Sequence, residues 1–348
     1  MTERHVFCGP VFLGRDLKYV DEGFVVVEDG KIADCGEGTV DGGLKRSVVP
    51  AFINAHTHVG DYFLREKFFE MDLVNVCGKD GIKEKYLKTA SDEVIVSGMR
   101  TAIAEMVRTG TCAFADFREG GVKGINLLKM ACTEFSNVRV NIFGRPEYPG
   151  EEFLLQCDGY GARSVRAEKR DDSYGKLLGI HVCETKSGEL EAALGFKPDF
   201  LVHMNSASVD EIRRAGSLRI PIVVCPRSNG YFRLKMPDIA LMIDEGVLVC
   251  LGTDNAMSNS ASMMSEMEYA FRMLIGRVDA REILKMATVN PAKVFGWNSG
   301  FIEKGADANL VLFDEEFLKT DDPYATAVLR MAAQRFEVMI GGKYVYHC

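Results

Sequence analysis

Four of the six histidines fall inside three short segments that read as the ends of β-strands, while His5 and His347 lie near the termini. The segments are 48–61 (VVPAFINAHTHVGD), 177–185 (LLGIHVCET) and 199–208 (DFLVHMNSAS). A fourth stretch, 247–260 (VLVCLGTDNAMSNS), adds Asp254 at the end of an apolar run. Strand side chains alternate between faces, so His56 and His58 share one face and two imidazoles can reach one metal ion. His181 follows Leu177-Leu178-Gly179-Ile180, with Glu184 three residues on, and His203 follows Phe200-Leu201-Val202. A lone histidine at a strand exit is more often a hydrogen-bonded rim residue than a ligand. The same placement four times over is hard to credit to packing and points to a single site at one end of a parallel barrel.

The rest of the chain fits alternating strands and helices, the pattern of a parallel sheet. Ser91 caps a helix on which Ile95, Met99, Ala102, Ile103 and Met106 recur at helical spacing, and Gly110 stops it. Residues 111–116 read as a second strand, 138–143 as a third and 220–226 as a seventh. The fourth, placed at 159–165, shows little periodicity. At 348 residues the chain exceeds a bare (β/α)8 barrel of roughly 250 residues. The surplus carries short β-like runs at both ends, with hairpin turns at Glu28-Asp29-Gly30-Lys31 and Gly341-Gly342-Lys343. The expected fold is therefore α/β: a TIM-like (β/α)8 barrel over 49–300, and a small β-sandwich domain built from both termini, 1–48 and 301–348.

Net charge is −8 with basic and acidic residues interspersed, so no basic stripe suggests nucleic acid. No apolar run reaches the roughly 20 residues of a membrane-spanning helix, and residues 1–5 do not begin a signal peptide. The ten cysteines lack C-x-x-C spacing, and Cys112, Cys132, Cys225 and Cys250 sit in apolar runs. They read as free thiols in a reducing cytoplasm. Without P-C-x-x-C, the zinc site of cytidine-deaminase-type proteins is excluded.

Pro50-Ala51-Phe52-Ile53-Asn54-Ala55-His56-Thr57-His58, His181-x-x-Glu184, His203 and Leu251-Gly252-Thr253-Asp254 together resemble the amidohydrolase superfamily. The closest resemblance is to its aminohydrolase branch of guanine, cytosine, S-adenosylhomocysteine and methylthioadenosine deaminases and triazine hydrolases. Residues 287–292 resemble that family's late helix and 305–312 its returning terminal strand; Ala51 departs from the usual glycine. The resemblance implies the same barrel and terminal β-domain, and a homodimer. It also implies a metal-dependent hydrolytic deaminase that attacks an amidine-like carbon of an aminated purine, nucleoside, pterin or pyrimidine and releases ammonia.

His56, His58, His181 and Asp254 can then give a divalent ion three imidazoles and a carboxylate, leaving a position for water, whose pKa falls from about 15.7 towards 7. The resemblance gives Asp254 a second role as acceptor of the water's proton, and Glu184 proton transfer to the ring nitrogen and departing amine. His203 either hydrogen-bonds the attacking oxygen or ligates metal. Zn2+ suits this ligand set and Fe2+ fits it too. Family members that open cyclic amides, hydantoinase-like and dihydroorotase-like, bridge two metals with a carboxylated lysine on the fourth strand. Residues 159–165 contain no lysine, and Lys169 and Lys176 lie beyond them, so one metal and deamination are expected. A binuclear cyclic-amide hydrolase and a non-catalytic scaffold remain the alternatives. Tyr62 and Phe63 can stack on a heteroaromatic ring or anchor the core. Arg145 and Arg227 can grip an anionic group, Asn229 beside Arg227 is a further substrate-binding candidate, and Met257, Ser258 and Asn259 can shape the pocket wall.

Overall fold

The computed structural model describes residues 4–78, 81–167 and 175–347. Its contacts divide the chain into two compact units: Met1–Ile53, Met106–Ala113 and Ser262–Cys348 form the first, Asn54–Glu105 and Phe114–Ala261 the second.

One sheet draws on both termini. It contains β1 (Arg4–Leu13), β2 (Lys18–Glu28), β3 (Lys31–Glu37), β4 (Leu44–Lys45) and β5 (Ser47–Pro50) from the start of the chain. From the end come the strands Leu310–Phe313, Phe336–Ile340 and Lys343–His347, in the order Lys343–His347, Phe336–Ile340, Leu310–Phe313, β5, β1, β2, β3, with β4 beside β1. Pairing is mixed: β1 runs antiparallel to β2 but parallel to β4 and β5. Both expected hairpins close with two-residue turns, Asp29-Gly30 (φ +50° and +78°) and Gly341-Gly342 (φ +58° and +76°). Two successive positive φ angles match the right-handed twist of the flanking strands and require glycine or a tolerant residue such as aspartate.

The second sheet is the barrel. Its strands are β6 (Phe52–His58), β7 (Thr111–Arg118), β8 (Arg139–Gly144), β9 (Gly159–Ala162), β10 (Leu177–Val182), β11 (Phe200–His203), β12 (Ile222–Val224), β13 (Val249–Leu251) and β14 (Asp254–Asn255). The ladder runs β13-β12-β11-β10-β9-β8-β7-β6-β14. Only Gly252 and Thr253 separate β13 from β14, so the last strand pairs with β12 by its first half and with β6 by its second. The ladder thus returns to its start as eight strands with one interrupted. Gly252 permits the closure, because a Cβ there would lie 2.7 Å from His56 Cβ and 2.8 Å from its backbone nitrogen. Asn54 and Thr253 then lock the seam: Thr253 N–H donates to Asn54 Oδ1 (3.0 Å) and Asn54 Nδ2 donates to Thr253 Oγ1 (2.7 Å).

The sequence run 48–53 splits between the sheets. Pro50 lacks an N–H, and at Ala51 the chain passes from β5 into β6, where Asn54 sits inside the strand rather than breaking it. The third strand shifts by one residue to Arg139–Gly144, the seventh shortens to Ile222–Val224, and the fourth ends at Ala162. Every residue of β6, β7, β9, β11, β12 and β13 is buried, as befits parallel strands covered on both faces.

The helix Asp92–Arg108 buries Ile95, Met99, Ala102, Ile103 and Met106, and Val94 N–H donates to Ser91 Oγ at 3.5 Å. A late helix covers Val289–Phe295 and ends at Gly296 (φ +68°). The cysteines among the described residues form no disulfide; Cys112, Cys225 and Cys250 are buried and Cys132 partly exposed. Among the described residues no helix is long and apolar enough to cross a membrane.

Candidate metal centre and active site

Below the site, the barrel interior is aromatic. Phe117 (β7) stacks on Phe143 (β8) with centroids 5.2 Å apart, and Phe143 meets Phe200 (β11) edge-on at 5.3 Å. The Phe117 ring also meets His56 at 4.4 Å and His181 at 5.2 Å, so this layer is the floor on which the imidazoles stand.

His56 and His58 project from one face of β6 with ring centroids 5.0 Å apart. Thr57, on the opposite face, donates to Asp116 Oδ2 (3.0 Å) and Ala115 O (3.1 Å). Val59 N–H also donates to Asp116 Oδ2, at 2.7 Å, so Asp116 holds the Thr57 side chain and the Val59 backbone on either side of His58. His181, near the end of β10, lies 5.0 Å from His56 and 5.7 Å from His58, centroid to centroid. Its Nδ1 is 3.0 Å from Ala162 O; a carbonyl only accepts, so the proton resides on Nδ1 and the Nε2 lone pair is free. His203 ends β11, 5.2 Å from His181 and 5.7 Å from His56. Asp254 opens β14, with Oδ1 at 3.3 Å from His56 Nε2 and 3.6 Å from His58 Nε2. Its other oxygen accepts from Ser228 Oγ at 2.6 Å.

These donors fit one divalent ion. His56, His58 and His181 offer nitrogens within 4.8 Å of one another, and so do His56, His203 and Asp254 offer theirs and a carboxylate oxygen. Two donors each about 2.0–2.2 Å from a four-coordinate ion stand roughly 3.3–3.6 Å apart, the span measured from Asp254 Oδ1 to the two β6 imidazoles. Neither ring nitrogen of the buried His56 has a hydrogen-bond partner, an expensive arrangement that a ligated ion resolves. Burial lowers the pKa of His56, His58 (to about 3) and His181, keeping the rings neutral and their lone pairs available. Burial opposes the charge on Asp254, but the His56 ring and the histidines around it hold its carboxyl well below the usual range. Neutral imidazoles and one carboxylate are thus available to an ion, with His203 grouped beside His56 and Asp254.

Glu184 lies two residues beyond β10, with Oε1 at 3.4 Å from His203 Nε2 and its side chain 26% exposed. Burial raises its pKa, partly offset by His203. Its backbone oxygen accepts from Asn205 Nδ2 (3.4 Å) and Ser206 Oγ (3.5 Å), which ties the exits of β10 and β11 together. Four non-glycine residues here have positive φ: Cys183 (+51°), His203 (+79°), Met204 (+57°) and Asp254 (+61°). Such backbone is uncommon outside glycine and clusters at functional sites.

The expected substrate-side residues divide by what holds them. Arg145 Nη2 pairs with Glu119 Oε1 at 2.9 Å. Arg227 donates to Ser260 O and Oγ, both at 3.1 Å. Asn229 exchanges two 3.0 Å hydrogen bonds with Asn205. The Arg65 guanidinium covers the Tyr62 ring at 4.5 Å. Phe63 packs on the apolar cluster of Leu64, Phe68, Leu73, Val76, Phe232 and Met257. Met257 is part of that cluster, and its N–H donates to Asp61 Oδ1 (2.9 Å). Ser258 Oγ donates back to Asn255 O (2.9 Å), next to Asn259.

Sequence reasoning passed over Ser228, Asp116, Glu119 and Lys83. Asp116 ends the second strand's apolar run, the same positional signal that marked Asp254, whereas Glu119 lies beyond it, after Arg118. Lys83 had no such signal, since only tertiary structure brings its helix (Ile82–Thr89) to the site.

Comparison with known proteins gives this geometry a context. A family model described as the amidohydrolase family matches residues 47–171 and 172–345. A chain of Archaeoglobus fulgidus, assigned provisionally as an aminohydrolase, is 34% identical over 299 residues, covering 83% of this chain and 85% of that one. A 5'-deoxyadenosine deaminase of Methanococcoides burtonii is 28% identical over 364 residues, covering 85% and 80%. Among solved structures, a zinc-bound adenosine deaminase from Xanthomonas campestris superposes with a TM-score of 0.81 at 19% identity, covering 97% of this chain and 92% of that one.

Proposed function

The chain belongs to the amidohydrolase family, and from that membership we propose that it is a mononuclear, metal-dependent deaminase of aminated heterocycles, with adenosine-type nucleosides as the first substrate class. The family match and its deaminase-named relatives make the chain a hydrolase acting on carbon–nitrogen bonds. The observation that carries the finer reading is the pairing of Glu184 and His203 at 3.4 Å where the His56/His58/His181 and His56/His203/Asp254 groups meet. The relationship to a 5'-deoxyadenosine deaminase favours adenosine-type rings, and cysteines that form no disulfide favour a cytoplasmic setting.

His56, His58, His181 and Asp254 are the residues that would hold the ion. We assign it as zinc, with ferrous iron suited to the same donors. When bound, the ion acidifies water and so supplies a nucleophile near neutral pH. Asp254 accepts the proton of the attacking water as its oxygen bonds to the amidine carbon. The electron pair of the carbon–nitrogen double bond moves to the ring nitrogen, which takes a proton from Glu184. Burial keeps that carboxyl protonated to higher pH, as a general acid requires. His203 Nε2 donates to the oxygen of the tetrahedral carbon. Glu184, now a carboxylate, takes the hydroxyl proton of that carbon and passes it to the amino group, which leaves as ammonia as the carbonyl forms, and the proton held by Asp254 restores Glu184.

The binuclear amide-hydrolase alternative needs a lysine on the fourth strand. β9 is Gly-Tyr-Gly-Ala, and the Lys176 ammonium is engaged by the carbonyls of Leu154 and Cys157. Lys169 lies outside the described residues. Metal content per chain, measured with ammonia release from a panel of aminated purines and nucleosides, tests the proposal. One metal with ammonia release is expected, and Glu184→Gln should keep the metal while kcat falls by about 10²–10⁴. Two metals, or none after reconstitution with zinc or ferrous iron, would overturn it.

A further inference from the structure

We infer that Glu119 is a positioning residue for His58, fixing the tautomer and orientation that present His58 Nε2 to a metal ion, and that Lys83 is the strut that holds Glu119 in place. The inference rests on the metal-site reading above and adds to it a residue outside the donor set.

Glu119 directly follows β7. Its Oε1 lies 2.9 Å from His58 Nδ1, off the axis of the ring N–H, and the same oxygen is 2.8 Å from Lys83 Nζ and 2.9 Å from Arg145 Nη2. Its Oε2 pairs with Arg118. A carboxylate surrounded by three cations accepts and does not donate. An unprotonated Nδ1 would hold its negative charge density 2.9 Å from a carboxylate oxygen, so the His58 proton belongs on Nδ1, leaving Nε2 to face Asp254 Oδ1. Second-sphere carboxylates commonly orient metal-ligating imidazoles in this way. His181 reaches the same tautomer through the Ala162 carbonyl. Two ligands are therefore set independently, one by a backbone group and one by a charge.

Lys83 is the unexpected part of the arrangement. It is 6% exposed, and the three N–H donors of its ammonium meet three acceptors: Glu119 Oε1 (2.8 Å), Asn255 Oδ1 (2.8 Å) and Asp61 Oδ2 (3.2 Å). Those acceptors follow β7, belong to β14 and follow β6, so one side chain fastens the strand exits that carry Glu119, Asp254 and the β6 histidines. A lysine whose donors are all engaged within the protein is a tether and not a substrate contact.

The test is zinc affinity by chelator competition, read together with histidine ¹⁵N NMR of the metal-free protein. Wild type should show His58 protonated at Nδ1. Glu119→Gln, and the charge-balanced double variant Lys83→Met/Glu119→Gln, should bind zinc about 10–100-fold more weakly and lose the single His58 tautomer. Folded variants with wild-type zinc affinity, or a wild-type His58 protonated at Nε2, would overturn the inference. The wild-type tautomer decides the matter even if a variant does not fold. Wild-type protein that takes up no zinc would instead sink the deaminase reading, which keeps the two failures distinct.

Discussion

Asp254 has a backbone φ of +61° and a carboxylate with different duties on its two oxygens. Oδ1 faces the imidazoles of His56 and His58, while Oδ2 accepts from Ser228 Oγ at 2.6 Å. Both residues are buried, so Ser228→Ala would leave a desolvated carboxylate oxygen without its donor. A cost of about 1–3 kcal/mol in stability is expected, together with weaker zinc binding as the carboxylate loses its orientation. Denaturant midpoints and chelator competition measure the two effects, and a variant with wild-type values in both would show that backbone pairing alone orients Asp254. At this scale much of the candidate site was readable: His56, His58, His181, His203 and Asp254, which the fold brings together, stand out as rare polar residues at the ends of apolar runs. Ser228 did not, because serine is common and its contact with Asp254 spans 26 residues of sequence. The same holds for Lys83, whose role depends on three acceptors far from it in the chain.

The strands beneath the site explain why the fourth was hard to read. β9 has glycine at 159 and 161, and β10 has one at 179, all where the three phenylalanines crowd the interior. A Cβ on Gly161 would lie 2.7 Å from the Phe117 ring, and one on Gly159 2.5 Å from Phe143. On Gly179 it would lie 2.4 Å from Phe200 and 2.6 Å from Phe117. Small inward residues therefore complement large ones on neighbouring strands, and this erases the apolar alternation by which a strand is recognised. The eighth strand was legible as one run, but its interruption at Gly252-Thr253 depends on the approach of β6, which no local pattern encodes. Gly179→Ala should accordingly cost about 1–3 kcal/mol through overpacking, with a smaller ring at Phe200 restoring part of it. Because Phe117 also supports His56 and His181, zinc affinity should fall with stability. An unchanged thermal midpoint would mean that the aromatic layer yields more easily than its spacing implies.

At the scale of the whole molecule, the residues that would hold the ion come from a single compact unit. His56, His58, His181, His203 and Asp254 all fall within Asn54–Glu105 and Phe114–Ala261, as do Glu119, Lys83 and Ser228. The other unit holds the terminal sheet and supplies no donor to the two groups that can hold an ion. A ligand that binds only the folded state stabilises it by RT ln(1 + [L]/Kd), about 2.7 kcal/mol at a hundredfold excess over Kd. That gain applies to whichever opening reactions break the site. Local and sub-global openings differ in free energy across a structure, so zinc should slow amide exchange of β6, β10, β11 and β14 by up to about 100-fold. The hairpin of Phe336–Ile340 and Lys343–His347, which can open without disturbing any donor, should exchange at its metal-free rate. Hydrogen exchange of peptides from both units, with and without zinc, makes the comparison. Equal slowing everywhere would show that the two units unfold only together, and slowing confined to the hairpin would place the ion outside the histidine cluster.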